Sequence, residues 1–148
     1  MLVYWLLFLY FAAGAVREDP RPASAARPDV LFRLGCFLMA LLIGLRFRVG
    51  ADWAPYEEIF RDAKHETMGS LPVIADPGYY LVNIVIQWIG GDLWVVNLVC
   101  GLVFAWGLMR FCEAQERPWL AAVVAVPYLV IVVAMGYTRQ AVAIAFIM

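Results

Sequence analysis

The chain has 148 residues, of which 65% are hydrophobic and 16% charged, and its formal net charge is −1. Globular chains carry roughly 45–50% apolar and about 25% charged residues. The high hydrophobic content of this chain excludes an intrinsically disordered protein. Its near-neutral net charge argues against a nucleic-acid-binding module. Three widely separated cysteines, Cys36, Cys100 and Cys112, cannot frame a disulfide-rich secreted domain. The class that remains is an all-α, polytopic transmembrane helical protein.

Apolar segments follow one another at lengths near the roughly 20 residues that a helix needs to cross a bilayer. One such segment can be a core helix of a soluble protein, but a chain of 148 residues cannot shield several of them from water. Pro127 in the fifth segment predicts a kink, because proline removes a helical hydrogen bond. We predict a single transmembrane domain over residues 1–148, which forms the N-terminal part of a longer protein. It should contain about five to six membrane spans. The predicted spans lie near 1–16, 30–45, 73–90, 93–110 and 119–136, with an incomplete one from 141.

The first segment has a second interpretation, a cleaved signal peptide. Signal peptides carry basic residues before their apolar core, and no lysine or arginine precedes this one. We therefore favour a retained helix.

The long charged loop between the second and third spans, residues 46–77, has its own organisation. Asp52 can cap a helix whose first turn contains Pro55, Glu57 and Glu58. We predict a short amphipathic helix that lies on the membrane surface and ends by Gly69, the alternative being a plain solvated loop. Its apolar side at helical spacing consists of Trp53, Tyr56, Ile59, Phe60 and Ala63.

Familiar catalytic motifs are missing from the sequence. One histidine, His65, and no C-x-x-C pair leave a zinc site without ligands. Ser24 and Ser70 lie outside any G-x-S-x-G motif, and no phosphate-binding loop is present. The remaining candidates are polar clusters at the ends of apolar segments, where ionisable groups are costly and mark functional sites.

Three clusters occupy such positions: R-V-G-A-D-W-A-P-Y at 48–56, D-P-G-Y-Y at 76–80 and M-G-Y-T-R-Q at 135–140. In this order and spacing they resemble the EpsG family of bacterial membrane proteins. The resemblance runs from about Val30 to the C-terminus. The chain departs from the family at Asp76, where a glutamate is expected, and in length, because family members are longer.

The resemblance implies a multi-pass protein of the bacterial cytoplasmic (inner) membrane that acts in exopolysaccharide biosynthesis, similar to Wzy-type polysaccharide polymerases. Such a glycosyltransferase moves a growing glycan from undecaprenyl diphosphate to the next lipid-linked repeat unit. The implied partners are a lipid-linked oligosaccharide, the lipid bilayer and other polysaccharide assembly proteins, with no nucleic acid. Two alternatives stay open: a non-catalytic component that binds or transports lipid-linked glycans, and a fragment that is inactive alone.

The chemistry of this transfer assigns hypothetical roles to the cluster residues. Arginine offers paired donors to a departing diphosphate, so Arg48 and Arg139 are the candidates for that role. The acceptor hydroxyl needs a carboxylate base, for which Asp52 is the candidate. The remaining candidates, all for substrate binding, are Tyr56, Asp76, Tyr79 and Gln140.

Several of these residues also have a purely structural interpretation. Asp52 can serve only as a helix cap, Asp76 can belong to a tight turn, and Arg139 can be a positive anchor at a helix end. We expect no cofactor and no metal, although Asp52 and Asp76 together would be the carboxylates available to a magnesium ion.

Overall fold

The computed structural model describes residues 2–19, 29–49, 53–63 and 77–148, and this described part contains helices and no strand. The predicted all-α class is therefore confirmed. The sixth helix continues directly into a π-helical segment, Val126–Ala134. The α-helices are α1 (Leu2–Arg17), α2 (Val30–Gly44), α3 (Trp53–Asp62), α4 (Pro77–Trp88), α5 (Leu93–Glu113), α6 (Pro118–Ala125) and α7 (Thr138–Ile147).

A helix lies in each apolar segment of the sequence, and the part of the third segment before Pro77 falls outside the described residues. By length and composition, α5 is the one described helix that is long and apolar enough to cross a membrane. The shorter apolar helices are Leu2–Arg17, Val30–Gly44, Pro118–Ala134 and Thr138–Ile147.

Hydrogen bonds from polar side chains join α1, α2 and α6 at one end of the fold. Asp29 caps α2 by accepting a hydrogen bond from the Leu31 N–H (3.0 Å), and its other carboxylate oxygen accepts one from Trp119 Nε1 (2.9 Å). Glu18 accepts a bond from the Trp119 N–H at the start of α6 (3.1 Å), and the Tyr10 hydroxyl donates to the Leu31 carbonyl (2.6 Å). Each carboxylate thus satisfies a helix-terminal N–H that has no partner within its own helix.

The long helix α5 packs most extensively against α2 and α7, and glycines allow the backbones to approach. A Cβ atom at Gly44 of α2 would lie 2.5 Å from the Leu98 Cα atom of α5. A Cβ atom at Gly107 of α5 would lie 2.6 Å from the Ala145 carbonyl oxygen of α7. Small residues at helix crossings permit this close packing, which is the usual arrangement between transmembrane helices.

The predicted amphipathic helix forms as α3, but its apolar side contacts protein. Tyr56 is 2% exposed and belongs to a small core with residues of α4 and α5, among them Tyr79 and Val96. Tyr56 and Ala63 of this face are buried, whereas Trp53, Ile59 and Phe60 are half-buried; the predicted contact with lipid headgroups stays a prediction. The predicted cap, Asp52, and the predicted end, Gly69, lie outside the described residues.

Hydrogen bonding changes at the proline of the fifth segment. The α-helical pattern of α6 ends at Ala125, and the π-helical segment contains Pro127 in its first turn. Because proline has no N–H to donate, the regular i→i−4 pattern of α-helical hydrogen bonds is interrupted at Pro127. The wider π-helical turns occur where the sequence predicts a kink, and such segments are frequent at functional sites.

Replacing Gly107 by alanine should destabilise the protein by about 1–3 kcal/mol, because the new methyl group meets the α7 backbone. The measurement is the unfolding free energy of the purified protein in detergent. Gly136→Ala is the matched control, since a Cβ atom there has no neighbour within 4 Å. Equal stability of the two variants would contradict the close α5–α7 contact.

Candidate functional site

Arg46, just after α2, is the one buried charged residue in the described part of the chain, with 6% of its surface exposed. Its Nη1 atom donates to the Ala134 carbonyl at 2.7 Å, and its Nη2 atom donates to the Thr138 hydroxyl. Ala134 ends the π-helical segment and Thr138 begins α7. Arg46 therefore connects the end of α2 to the break between these two helices, where backbone carbonyls lack helical partners.

The Arg46 charge has no carboxylate partner within the described residues. The ion pairs of that part of the chain join Arg33 and Arg110 to Glu113, and the buried Arg46 Nε atom has no hydrogen-bond partner there. Burial lowers the pKa of Arg46 from its usual value, although a guanidinium stays protonated in proteins. The site thus contains a buried positive charge that is bonded to neutral acceptors.

Tyr56, Tyr79 and Arg139, which the sequence places in three separate clusters, lie together. The Tyr56 hydroxyl accepts a hydrogen bond from the Arg139 backbone N–H (3.4 Å), and the Arg139 guanidinium lies 5.6 Å from the centroid of the Tyr56 ring. The Tyr56 and Tyr79 rings are 5.4 Å apart between centroids. Arg46 bonds to Thr138, the residue that precedes Arg139, so Arg46, Tyr56, Tyr79 and Arg139 form one site.

The other sequence-predicted residues are arranged differently. Arg48 is exposed, adopts a left-handed backbone conformation (φ 53°), and holds its guanidinium 5.4 Å from the centroid of the Phe47 ring. Gln140 is exposed on α7. Asp52 and Asp76 lie outside the described residues, so the structure does not test the base and the second carboxylate. Among the residues that it does describe, no group of three histidine, cysteine or acidic side chains could hold a metal ion.

Sequence reasoning missed three buried polar residues, Arg46, Asn83 and Thr138. By its position Arg46 belongs to the charged loop at 46–77, and Thr138 lies within the third cluster without a predicted role. Asn83 donates to the Tyr79 carbonyl (2.7 Å). In the described part of the chain, the Asn83 Oδ1 atom and the Tyr79 hydroxyl are buried without a hydrogen-bond partner. An asparagine inside an apolar segment and an arginine directly after one were the available indications.

The chain matches the model of the EpsG family over residues 29–148. The matched region contains all three sequence clusters and all four residues of the site. No curated protein and no solved structure matches the chain.

Arg46→Ala should lower the unfolding free energy by about 1–3 kcal/mol, because it leaves the buried Ala134 carbonyl without its donor. Arg48→Ala removes an equal charge from an exposed position and should cost less than about 1 kcal/mol. Denaturant titration of both variants in detergent measures the difference. An Arg46→Ala protein as stable as Arg48→Ala would show that the buried bonds contribute nothing.

Proposed function

Because the chain belongs to the EpsG family, whose members act in exopolysaccharide biosynthesis, we propose that it binds the diphosphate of a lipid-linked oligosaccharide and takes part in its polymerisation. We place it in the bacterial cytoplasmic membrane as a multi-pass protein. The apolar helix α5 and the shorter apolar helices before and after it support a membrane location. The single observation that carries the proposal is a chain of contacts at the start of α7: Arg139 lies over the Tyr56 ring, Tyr56 packs on Tyr79, and Arg46 bonds to Thr138, the neighbour of Arg139.

The position of Arg139 favours anion binding for two reasons. It lies in the first turn of α7, and a helix N-terminus carries a partial positive charge and backbone N–H groups without helical partners. Arg46 adds a second guanidinium, which reaches the same helix start through Thr138. Two arginines beside a helix N-terminus suit a diphosphate, since guanidinium groups form paired, charge-assisted hydrogen bonds with phosphate oxygens.

Tyr79 offers the glycan a hydrogen-bonding group next to this phosphate site. Both tyrosine rings are buried, with 2% of Tyr56 and 8% of Tyr79 exposed, so the Tyr79 hydroxyl is the group that a ligand can use. The Tyr79 hydroxyl has no hydrogen-bond partner within the described residues, and such a buried group costs free energy unless a ligand satisfies it. We propose that a hydroxyl of the bound glycan supplies that partner.

In the proposed transfer, the acceptor hydroxyl oxygen attacks the anomeric carbon, and the bond from that carbon to the diphosphate oxygen breaks. The diphosphate leaves with the bonding electrons, and the arginines stabilise its charge. A carboxylate accepts the hydroxyl proton. Asp52 remains the candidate for this base; it directly precedes α3, the helix that carries Tyr56.

Arg139→Ala should reduce elongation of lipid-linked repeat units by about 10²–10³-fold, the loss typical when one donor to a developing anion is removed. Arg139→Lys keeps the charge without the paired donors and should recover part of the rate. The assay incubates the purified protein with lipid-linked repeat units and measures the length of the products by gel electrophoresis. The amount of each variant in the membrane is measured in parallel.

Arg110→Ala is the control, because this exposed arginine lies at the end of α5 and pairs with Glu113. Arg48→Ala, assayed alongside, tests the sequence prediction that Arg48 also binds the diphosphate. Wild-type product length with Arg139→Ala would reject the diphosphate role of Arg139. Binding of lipid-linked repeats without any elongation by the wild-type protein would favour the non-catalytic binding or transport component.

Tyr79→Phe separates a ligand contact from a structural one. Since the hydroxyl has no protein partner in the described part of the chain, its removal should leave the unfolding free energy unchanged or slightly higher. Affinity for the lipid-linked oligosaccharide should fall about threefold to tenfold, the value of one neutral hydrogen bond. A large loss of stability with unchanged affinity would show that the hydroxyl serves the fold instead.

A further inference from the structure

A groove of about 800 Å³ lies between α1 and α2, beside the site. Its walls are almost entirely apolar, with Leu6 and Leu7 from α1 and Leu38 and Leu42 from α2. Arg46 is its one charged lining residue. The volume lies within the range of small-molecule and cofactor pockets, which are typically apolar with a few placed polar groups.

Arg46 belongs to both the groove and the site. It lines the groove together with Tyr4, and it bonds to Thr138, the neighbour of Arg139. A buried charge without an opposite charge is costly, and no carboxylate among the described residues pairs with Arg46. The groove therefore shares Arg46 with the site, and its surface is apolar along α1 and α2 and carries one positively charged residue, Arg46.

We infer that this groove holds the polyprenyl chain of a lipid-linked diphosphate, with the diphosphate at Arg46 and Arg139. The inference rests on the proposed function and adds the location of the lipid chain. An amphiphile with a long hydrocarbon chain and an anionic head matches both properties of the surface. The apolar walls exclude a free sugar nucleotide from the groove, since its polar groups would lose their hydrogen bonds to water there.

Two leucines of α2 provide a matched pair of variants for the test. Leu38 and Leu34 are each 47% exposed and lie one helical turn apart, but Leu38 lines the groove and Leu34 does not. Leu38→Trp should fill the groove, whereas Leu34→Trp adds the same bulk outside it. Binding of two probes to the whole purified protein in detergent is measured: a long-chain polyprenyl diphosphate and geranyl diphosphate, which shares the head but has a short chain.

Leu38→Trp should weaken binding of the long-chain probe about tenfold or more, the loss expected when two or more methylene groups leave an apolar site. The effect on geranyl diphosphate should be several-fold smaller, and Leu34→Trp should bind both probes like the wild type. The groove assignment would be overturned if Leu38→Trp and Leu34→Trp changed the affinity for the long-chain probe equally, or if neither changed it. Displacement of the long-chain probe by phosphatidylglycerol vesicles, with the same dependence on Leu38, would overturn the polyprenyl identity.

A measurement on the wild-type protein keeps the test independent of how the variants fold. A polyprenyl diphosphate with a diazirine on its chain is photo-crosslinked, and the labelled peptides are mapped by mass spectrometry. Labels on α1 and α2 support the inference, and labels confined to other helices overturn it. Failure of the proposed function looks different, because the wild-type protein would then bind neither diphosphate probe.

Discussion

The buried guanidinium of Arg46 holds together the part of the fold on which the site depends. Its bonds to the Ala134 carbonyl and the Thr138 hydroxyl span the break between the π-helical segment and α7. That break sets where α7 starts, and hence where Arg139 meets the ring of Tyr56. Because the interaction is buried, it is strong, and it leaves a positive charge that bonds to neutral protein groups and can attract an anion.

Close helix packing makes this connection possible. The glycines of α2 and α5 bring the two backbones together, and Gly107 does the same for α5 and α7. Arg46, at the end of α2, thereby lies within reach of the start of α7. Between α1 and α2 lies the apolar groove. Arg46 thus lies between the polar residues of the site and an apolar groove.

The structure brings together three residues from separate polar clusters of the sequence, Tyr56, Tyr79 and Arg139. The same pattern predicts a role for Arg48, which is exposed, whereas Arg46, two positions earlier, is buried. A pattern in the sequence cannot separate two neighbouring arginines, because the direction of each side chain depends on the turn that follows α2.

The all-α class, the positions of the helices and the family follow from the sequence, because apolar segments, prolines and short motifs are local properties of the chain. Which polar groups meet depends on the packing of the helices. The bonds from Arg46 to the α7 region and from Arg139 to Tyr56 join residues 83 to 92 positions apart. No local pattern specifies such pairs, since they depend on how α2, α3 and α7 pack around α4 and α5.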